Sequence, residues 1–310
     1  DSFVQTRIFW PLGMMRSTTG SAIVEIRGNV ASPHMRIDGV VTPVRRRNYD
    51  ALGPAGSIFS SAHDMAQWIR LHLGNGVFEG RRMISDSVMA EMHRPQNPIS
   101  IGGRTRRMFP DRTYFAYGLG WRLHDYAGRD VVQHTGTVNF MKTQIGMIPS
   151  EGIGVVDIGN LTTSSLQTAL MYRIFDALLG RQARDWSKEY LATARYSSGS
   201  SPPPRTAGTR LSLPLQAYAG TYADSLYGDI RISFDDETDG LVLYYSPDYV
   251  ADLEHWHNDT FLVRWRRTGF GTTLATFRVN SRGEILSMNL DGYSRFSRVV
   301  SEVMEPLAAP

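Results

Sequence analysis

His134-Thr135-Gly136 sits between a polar turn and the apolar run Phe140 to Ile148. A polar triplet ending in glycine, just ahead of a buried strand, suits a sheet edge where backbone must approach a ligand closely, because glycine has no Cβ to hold the ligand off. Upstream, Gly118-Leu119-Gly120-Trp121 opens a strand and Asp130 to Gln133 form another. Downstream, Lys142 to Pro149 and Gly152 to Asn160 read as buried strands joined by a turn. Ser164 to Leu179 predicts a last helix, with Leu166, Leu170, Ile174 and Leu178 on one face. Strands followed by a terminal helix read as α+β.

Further out, Ala51 to Ile58 is a Gly/Pro-rich turn, followed by Ser60-Ser61-Ala62-His63-Asp64 with Ser61 or Ser60 as N-cap and Asp64 in the first turn. Met65, Trp68, Ile69 and Leu73 then recur at helical spacing until Gly74-Asn75-Gly76 stops them. A second helix, near Ser85 to Arg94, halts before Pro95. At the start, Phe3, Arg7 and Ile8 fall at helical spacing and the helix ends near Pro11-Leu12-Gly13-Met14. A chain that opens inside a helix reads as cut from something longer.

Residues 1–192 therefore form one domain. Residues 193–210, containing Ser197 to Pro204, read as a linker of flexible Ser/Gly followed by stiffer Pro. Beyond it, short alternating strands from Gly220 to Leu290 make residues 211–310 a small antiparallel barrel. Such a barrel has a ligand-binding reading of its own.

The composition excludes several classes. With no cysteine there is no disulfide, thiol nucleophile or Cys-ligated metal. No segment approaches the eighteen or so apolar residues of a membrane span. The net charge of +3 comes almost wholly from arginine, since Lys142 and Lys188 are the only lysines. Arg45-Arg46-Arg47 reads as a solvated loop, and no basic–aromatic interleaving points to nucleic acid. His255-Trp256-His257 suggests a metal, but alternate strand residues point to opposite faces. No cofactor or metal is expected.

Four phrases, in order, carry a resemblance. Phe9-Trp10-Pro11-Leu12-Gly13-Met14 is similar to "F-x-P-L-G-M", and Gly53 to Met65 to "GPAGG-x-x-ST-x-x-DM". Tyr117-Gly118-Leu119-Gly120-Trp121 and His134-Thr135-Gly136 follow. Together they make residues 1 to 180 resemble the serine β-lactamase-like family, the class C β-lactamases and DD-peptidases. Residues 211 to 300 resemble the lipocalin-like barrel appended to such hydrolases, through Tyr218, Gly220, Tyr222, Trp256, Phe261 and Phe277.

The resemblance implies a β-lactamase/DD-peptidase-like sandwich and acyl transfer through a serine ester. Thr135 and Gly136 line the substrate wall, His134 takes the polar role of the Lys/His-x-Gly strand, and the Thr137 backbone N–H is one oxyanion donor. Such a donor is typically worth ~3 kcal/mol of transition-state stabilisation. Histidine in place of lysine lets the charge there vary near neutral pH. Tyr117 and Trp121 read as core and cleft wall, and Asp64 and Ser61 as helix caps.

The family's other two clusters, Ser-x-x-Lys and Tyr-x-Asn, are absent. Asn139 and Asp185 stand three residues before the two lysines. In the family both clusters lie upstream of "P-L-G-M", together with the first strands and the nucleophile helix. The expectation is a C-terminal portion working with an N-terminal complementary segment or chain on a small acyl substrate: a D-amino-acid peptide, a short ester or a β-lactam. The alternative is a non-catalytic binding or scaffold protein on an inactivated hydrolase fold. Localisation stays open, with the bacterial periplasm or secretion to be weighed.

Overall fold

In the computed structural model, which describes residues 1–37, 39–138, 140–162, 165–194, 204–267 and 270–299, the chain after Pro95 folds back on itself repeatedly. The result is a six-stranded sheet of β1 (Asn97–Pro98), β2 (Phe115–Tyr117), β3 (Arg122–Tyr126), β4 (Arg129–Val138), β5 (Met141–Ile148) and β6 (Ile153–Gly159). Neighbours in sequence are neighbours in the sheet, and every pair is antiparallel. The chain divides into two compact units, residues 1–198 and 199–310, and this sheet belongs to the first.

Helices cover both faces of the sheet. On one side α1 (Ala62–Leu73) packs Ile69 with Trp121, Leu123, Val132 and Met147. On the other, α3 (Leu166–Leu178) and α4 (Trp186–Ala194) pack Met171, Tyr172, Phe175 and Trp186 with Val131, Ile148 and Val155. Burying each such large side chain contributes roughly 1.5–3 kcal/mol. The helix α2 (Asp86–Met92) is N-capped by Ser85, and α1 by Ser61, whose side chain accepts from Asp64 N–H. The first residues form an α-turn, Ser2–Val4, that runs into a π-helix, Gln5–Phe9, and Phe9, Leu12 and Met14 join Leu71 and Phe78 in a satellite core.

Three expectations change. The triplet His134-Thr135-Gly136 lies ahead of the buried strand β5 as expected, but it is itself part of a strand, the ten-residue β4. Polar residues are tolerated there because they pair, as Gln144 Nε2 does by donating to Gln133 Oε1 at 2.8 Å. The leucine stripe of α3 is not its buried face. Leu166, Leu170 and Leu178 are 59%, 41% and 62% exposed, while Gln167, Met171, Tyr172, Phe175 and Asp176 are buried. The sheet selects that face by leaving room at Gly146, where a Cβ would stand 2.2 Å from Met171 Sδ. The polar members are satisfied, since Asp176 accepts from Tyr126 Oη and from Trp186 Nε1. Finally, α4 runs through the first two residues of the expected 193–210 linker, of which residues 195–203 lie outside the described ones.

The second unit is a closed antiparallel barrel of eight strands: β7 (Gly220–Asp224), β8 (Gly228–Asp235), β9 (Gly240–Ser246), β10 (Tyr249–His257), β11 (Thr260–Trp265), β12 (Thr272–Val279), β13 (Ile285–Leu290) and β14 (Arg295–Arg298). Tyr222↔Arg298 and Ala223↔Ser297 close it. Tyr218, Tyr222, Ile232, Phe261, Phe277, Met288 and Phe296 fill the interior, all nearly or fully buried. An interior packed with its own side chains counts against the ligand-binding reading of this barrel. Residues 300–310 lie outside the described ones. Among the described residues, no helix is long and apolar enough to cross a membrane.

Candidate active site

Among the described residues, the second half of β4 is paired on one side only. Register with β3 stops at Arg122↔Gln133, whereas register with β5 continues through His134↔Ile145, Gly136↔Thr143, Thr137↔Lys142 and Val138↔Met141. The triplet is thus in an interior strand that acquires a free edge at His134. This edge leaves sheet backbone open at the place where a ligand is expected to approach it. Gly136 has a steric reason of its own: a Cβ there would meet Thr143 Oγ1 at 2.6 Å.

Alternation along β4 places His134 and Gly136 on the face toward α1, and Thr135 and Thr137 on the face toward α3. Thr135 pairs with Gln144, whose Oε1 accepts from Thr168 of α3 at 3.1 Å. Thr135 therefore offers the His134 side its backbone rather than its hydroxyl. The four candidate residues are contiguous, and their side chains divide between two faces.

His134 is half-buried, with Nε2 3.1 Å from Tyr117 Oη. Burial, and then the nearby Arg122 guanidinium, hold its pKa below the ordinary histidine value, against the opposing hydrogen bond to the Thr135 backbone. The shift favours the neutral ring, so the change of charge expected near neutral pH is displaced toward lower pH. Tyr117 is the partner that sequence reasoning assigned to the wall; its place at the head of the Tyr-Gly-Leu-Gly-Trp phrase was the available signal.

The remaining phrases meet around Asp64. This carboxylate, 2% exposed, accepts from Arg16 N–H and Ser17 Oγ, each at 2.8 Å. Burial pushes its pKa up, and hydrogen bonds from Ser17, Arg16, His63 and Ser61 bring it below the usual carboxylate value. Asp64 thus ties the start of α1 to the chain just after Pro11-Leu12-Gly13-Met14, a larger role than capping. The Gly53–Gly56 turn reaches β4: a Cβ on Gly56 would stand 3.3 Å from Val138 Cγ2.

Between these pieces lies a cavity of about 1210 Å³. Met65 and Trp68 of α1, Met141, Thr143 and Ile145 of β5, and Val156 and Ile158 of β6 form its walls, with Arg16, Arg27 and Arg46 also lining it. Ile145 and Thr143 are the register partners of His134 and Gly136, so the free half of β4 stands one strand away from the cavity lining. On the opposite face, burial raises the Asp157 carboxyl to about 6, tempered by Lys142, whose own pKa burial lowers. That pair has no signature in the sequence, since it depends on the β5–β6 register.

Residues 1–179 match the family model described as Beta-lactamase. The chain belongs to the Beta-lactamase family. Its fold is β-lactamase-like, with the eight-stranded barrel appended, and residues 204–304 match a domain of unknown function (DUF3471). Among its relatives in this family is the unguisins hydrolase of Aspergillus violaceofuscus, 30% identical over 262 residues, which are 74% of this chain and 45% of that protein. Penicillin-binding protein 4 of Amycolatopsis lactamdurans is 26% identical over 189 residues, 59% of this chain and 46% of that protein. The chain thus spans less than half the length of these curated relatives. The octameric penicillin-binding protein homologue from Pyrococcus abyssi shares the fold, with a TM-score of 0.50 at 19% identity, over 95% of this chain and 59% of that one.

Proposed function

We propose that this chain is the C-terminal portion of a serine hydrolase that transfers acyl groups through a serine ester. The observation that carries this reading is the free half of β4, where His134, hydrogen-bonded to Tyr117, pairs through Ile145 with the strand that lines a large, mostly apolar cavity. His134 orients the substrate carbonyl and leaving group. Thr135 and Gly136 form the backbone wall, and the Thr137 N–H stabilises the oxyanion by ~3 kcal/mol.

The nucleophilic serine, its lysine and the tyrosine come from polypeptide upstream of Asp1, which seats its helix in the cavity and its strands along β6. Two features support such a segment: the cavity's mostly apolar lining, and β6, which among the described residues has a single strand neighbour while the adjacent flank of α3 exposes Leu166 and Leu170. The substrate is an amide or ester: a D-amino-acid peptide or short ester ahead of a β-lactam. The relatives' names, an unguisins hydrolase and a penicillin-binding protein, agree with an acyl substrate.

Full-length protein treated with a fluorophosphonate or penicillin probe is expected to carry the label on a peptide upstream of Asp1. His134→Ala is expected to lower turnover by at least tenfold with the unfolding midpoint unchanged. Unaltered turnover in that variant removes His134 from the site, and absence of any labelled serine overturns the reaction class.

A further inference from the structure

Tyr117 stands on backbone with little slack. Gly118, the next residue, packs so tightly under the end of α2 that a Cβ there would lie 2.6 Å from the Met92 carbonyl oxygen. Gly118 N–H donates to the Trp121 carbonyl at 2.8 Å and Leu119 N–H to the Met92 carbonyl at 3.1 Å. The tyrosine ring is thereby referenced to a helix terminus rather than to a loose loop. Opposite it, the two rings meet edge-on, with centroids 5.9 Å apart and planes at 69°.

A neutral imidazole has one N–H and one bare nitrogen, and its neighbours decide which is which. Here the ring has a hydrogen bond with the Thr135 backbone as well as the contact between Nε2 and Tyr117 Oη. With the phenol as donor, Nε2 is the bare nitrogen and the ring proton lies on Nδ1, an arrangement that the Thr135 backbone bond, which favours a proton on the ring, supports. From β3 the charged neighbour is Arg122; from β5 the register partner is Ile145, which carries no charge.

We propose that Tyr117 is a positioning residue for His134, locking the ring as its neutral Nδ1–H tautomer in one orientation. For its catalytic purpose this inference rests on the acyl-transfer reading above. The wall of the site then presents a fixed dipole to the substrate, and burial, Arg122 and a hydroxyl from a different strand together set the pH at which that dipole is lost. A hydrogen bond donated to the neutral ring disfavours protonation, so Tyr117 also moves the loss to lower pH.

The test is two-bond ¹H–¹⁵N correlation on the 310-residue chain labelled with ¹⁵N-histidine, the His134 signals being assigned by their disappearance in His134→Ala. The expected spectrum shows Nδ1–H for His134. Tyr117→Phe is expected to give a mixture of tautomers and a higher titration midpoint. An Nε2–H ring in the unaltered chain overturns the proposal even where Tyr117→Phe fails to fold. So do an unchanged tautomer and midpoint in a folded Tyr117→Phe chain.

In the full-length protein, Tyr117→Phe is expected to lower kcat severalfold with little change in KM, and to move the acid limb of the pH profile upward. Tautomer and midpoint changes in a full-length protein that hydrolyses nothing leave the Tyr117–His134 lock standing and sink the acyl-transfer reading instead.

Discussion

In the barrel β14 closes back on β7, each strand has two neighbours, and aromatic side chains occupy the interior. In the first unit β6, among the described residues, has β5 on one side only, α3 shows a row of leucines to solvent, and a cavity of about 1210 Å³ opens beside α1. The same physical rules produced both. Closure removes strand edges outright, and an open sheet leaves them to be covered by something else. The contrast shows where the first unit has surface to give, and that surface adjoins the free half of β4. The barrel's core is occupied by its own side chains instead.

Equivalent truncations in the two interiors expose the difference most directly. Ile232, 2% exposed inside the barrel, is packed on all sides, so Ile232→Ala is expected to cost roughly 2–5 kcal/mol. Ile145 already faces the cavity, so Ile145→Ala creates little new void and is expected to cost about 1 kcal/mol. Urea unfolding of the two variants against the unaltered chain checks this. Equal costs would break the comparison. A cost for Ile145→Ala that rises to the barrel's level in the full-length protein would sharpen it, since that result requires the cavity to be filled there.

The elements that read clearly from sequence were those whose cause is local. Ser61 and Ser85 cap their helices, Gly74 ends α1, and alternating residues mark the barrel strands. What did not read depends on partners far along the chain. The leucines of α3 form a clean apolar stripe, yet the face that packs carries Gln167 and Asp176, because Tyr126, Trp186 and the space at Gly146 lie elsewhere in sequence. His134 was legible as a polar group on a strand; its bond to Tyr117, 17 residues away, was not. Nor was the early end of the β3–β4 register, which gives the triplet its free edge.

The units are also expected to part company in acid. In the first unit His72 Nδ1 and His93 Nε2 lie 3.0 Å apart between Trp68 and Trp121. Burial, with the neighbouring His93, lowers His72 to about 3, and burial with the Arg112 charge lowers His124 to about 3. Between those values and the unfolded value near 6.5, the unfolded chain binds protons that the folded one refuses. The stability is therefore complete above pH 6.5 and is lost as pH falls toward 3. By pH 5.5 each histidine is expected to cost about 1.4 kcal/mol. Tryptophan fluorescence during urea titrations at pH 7 and 5.5 follows this loss, and a midpoint that does not fall for the first unit would contradict neutral, buried rings.

The smallest effect is expected where the first unit looks most incomplete. Leu166, Leu170 and Leu178 bury little against the sheet, so Leu170→Gln or Leu178→Lys is expected to shift the stability of this chain by no more than about 0.5 kcal/mol. Their effect belongs to association instead: light scattering of the chain is expected to fall as the apolar stripe is broken. In the full-length protein, where an upstream segment is proposed to lie along β6 and this flank of α3, the same substitutions are expected to destabilise by more than that. Equal, negligible costs in both forms would mean that the stripe is surface in either one. The proposed upstream segment would then have to be sought at the cavity alone.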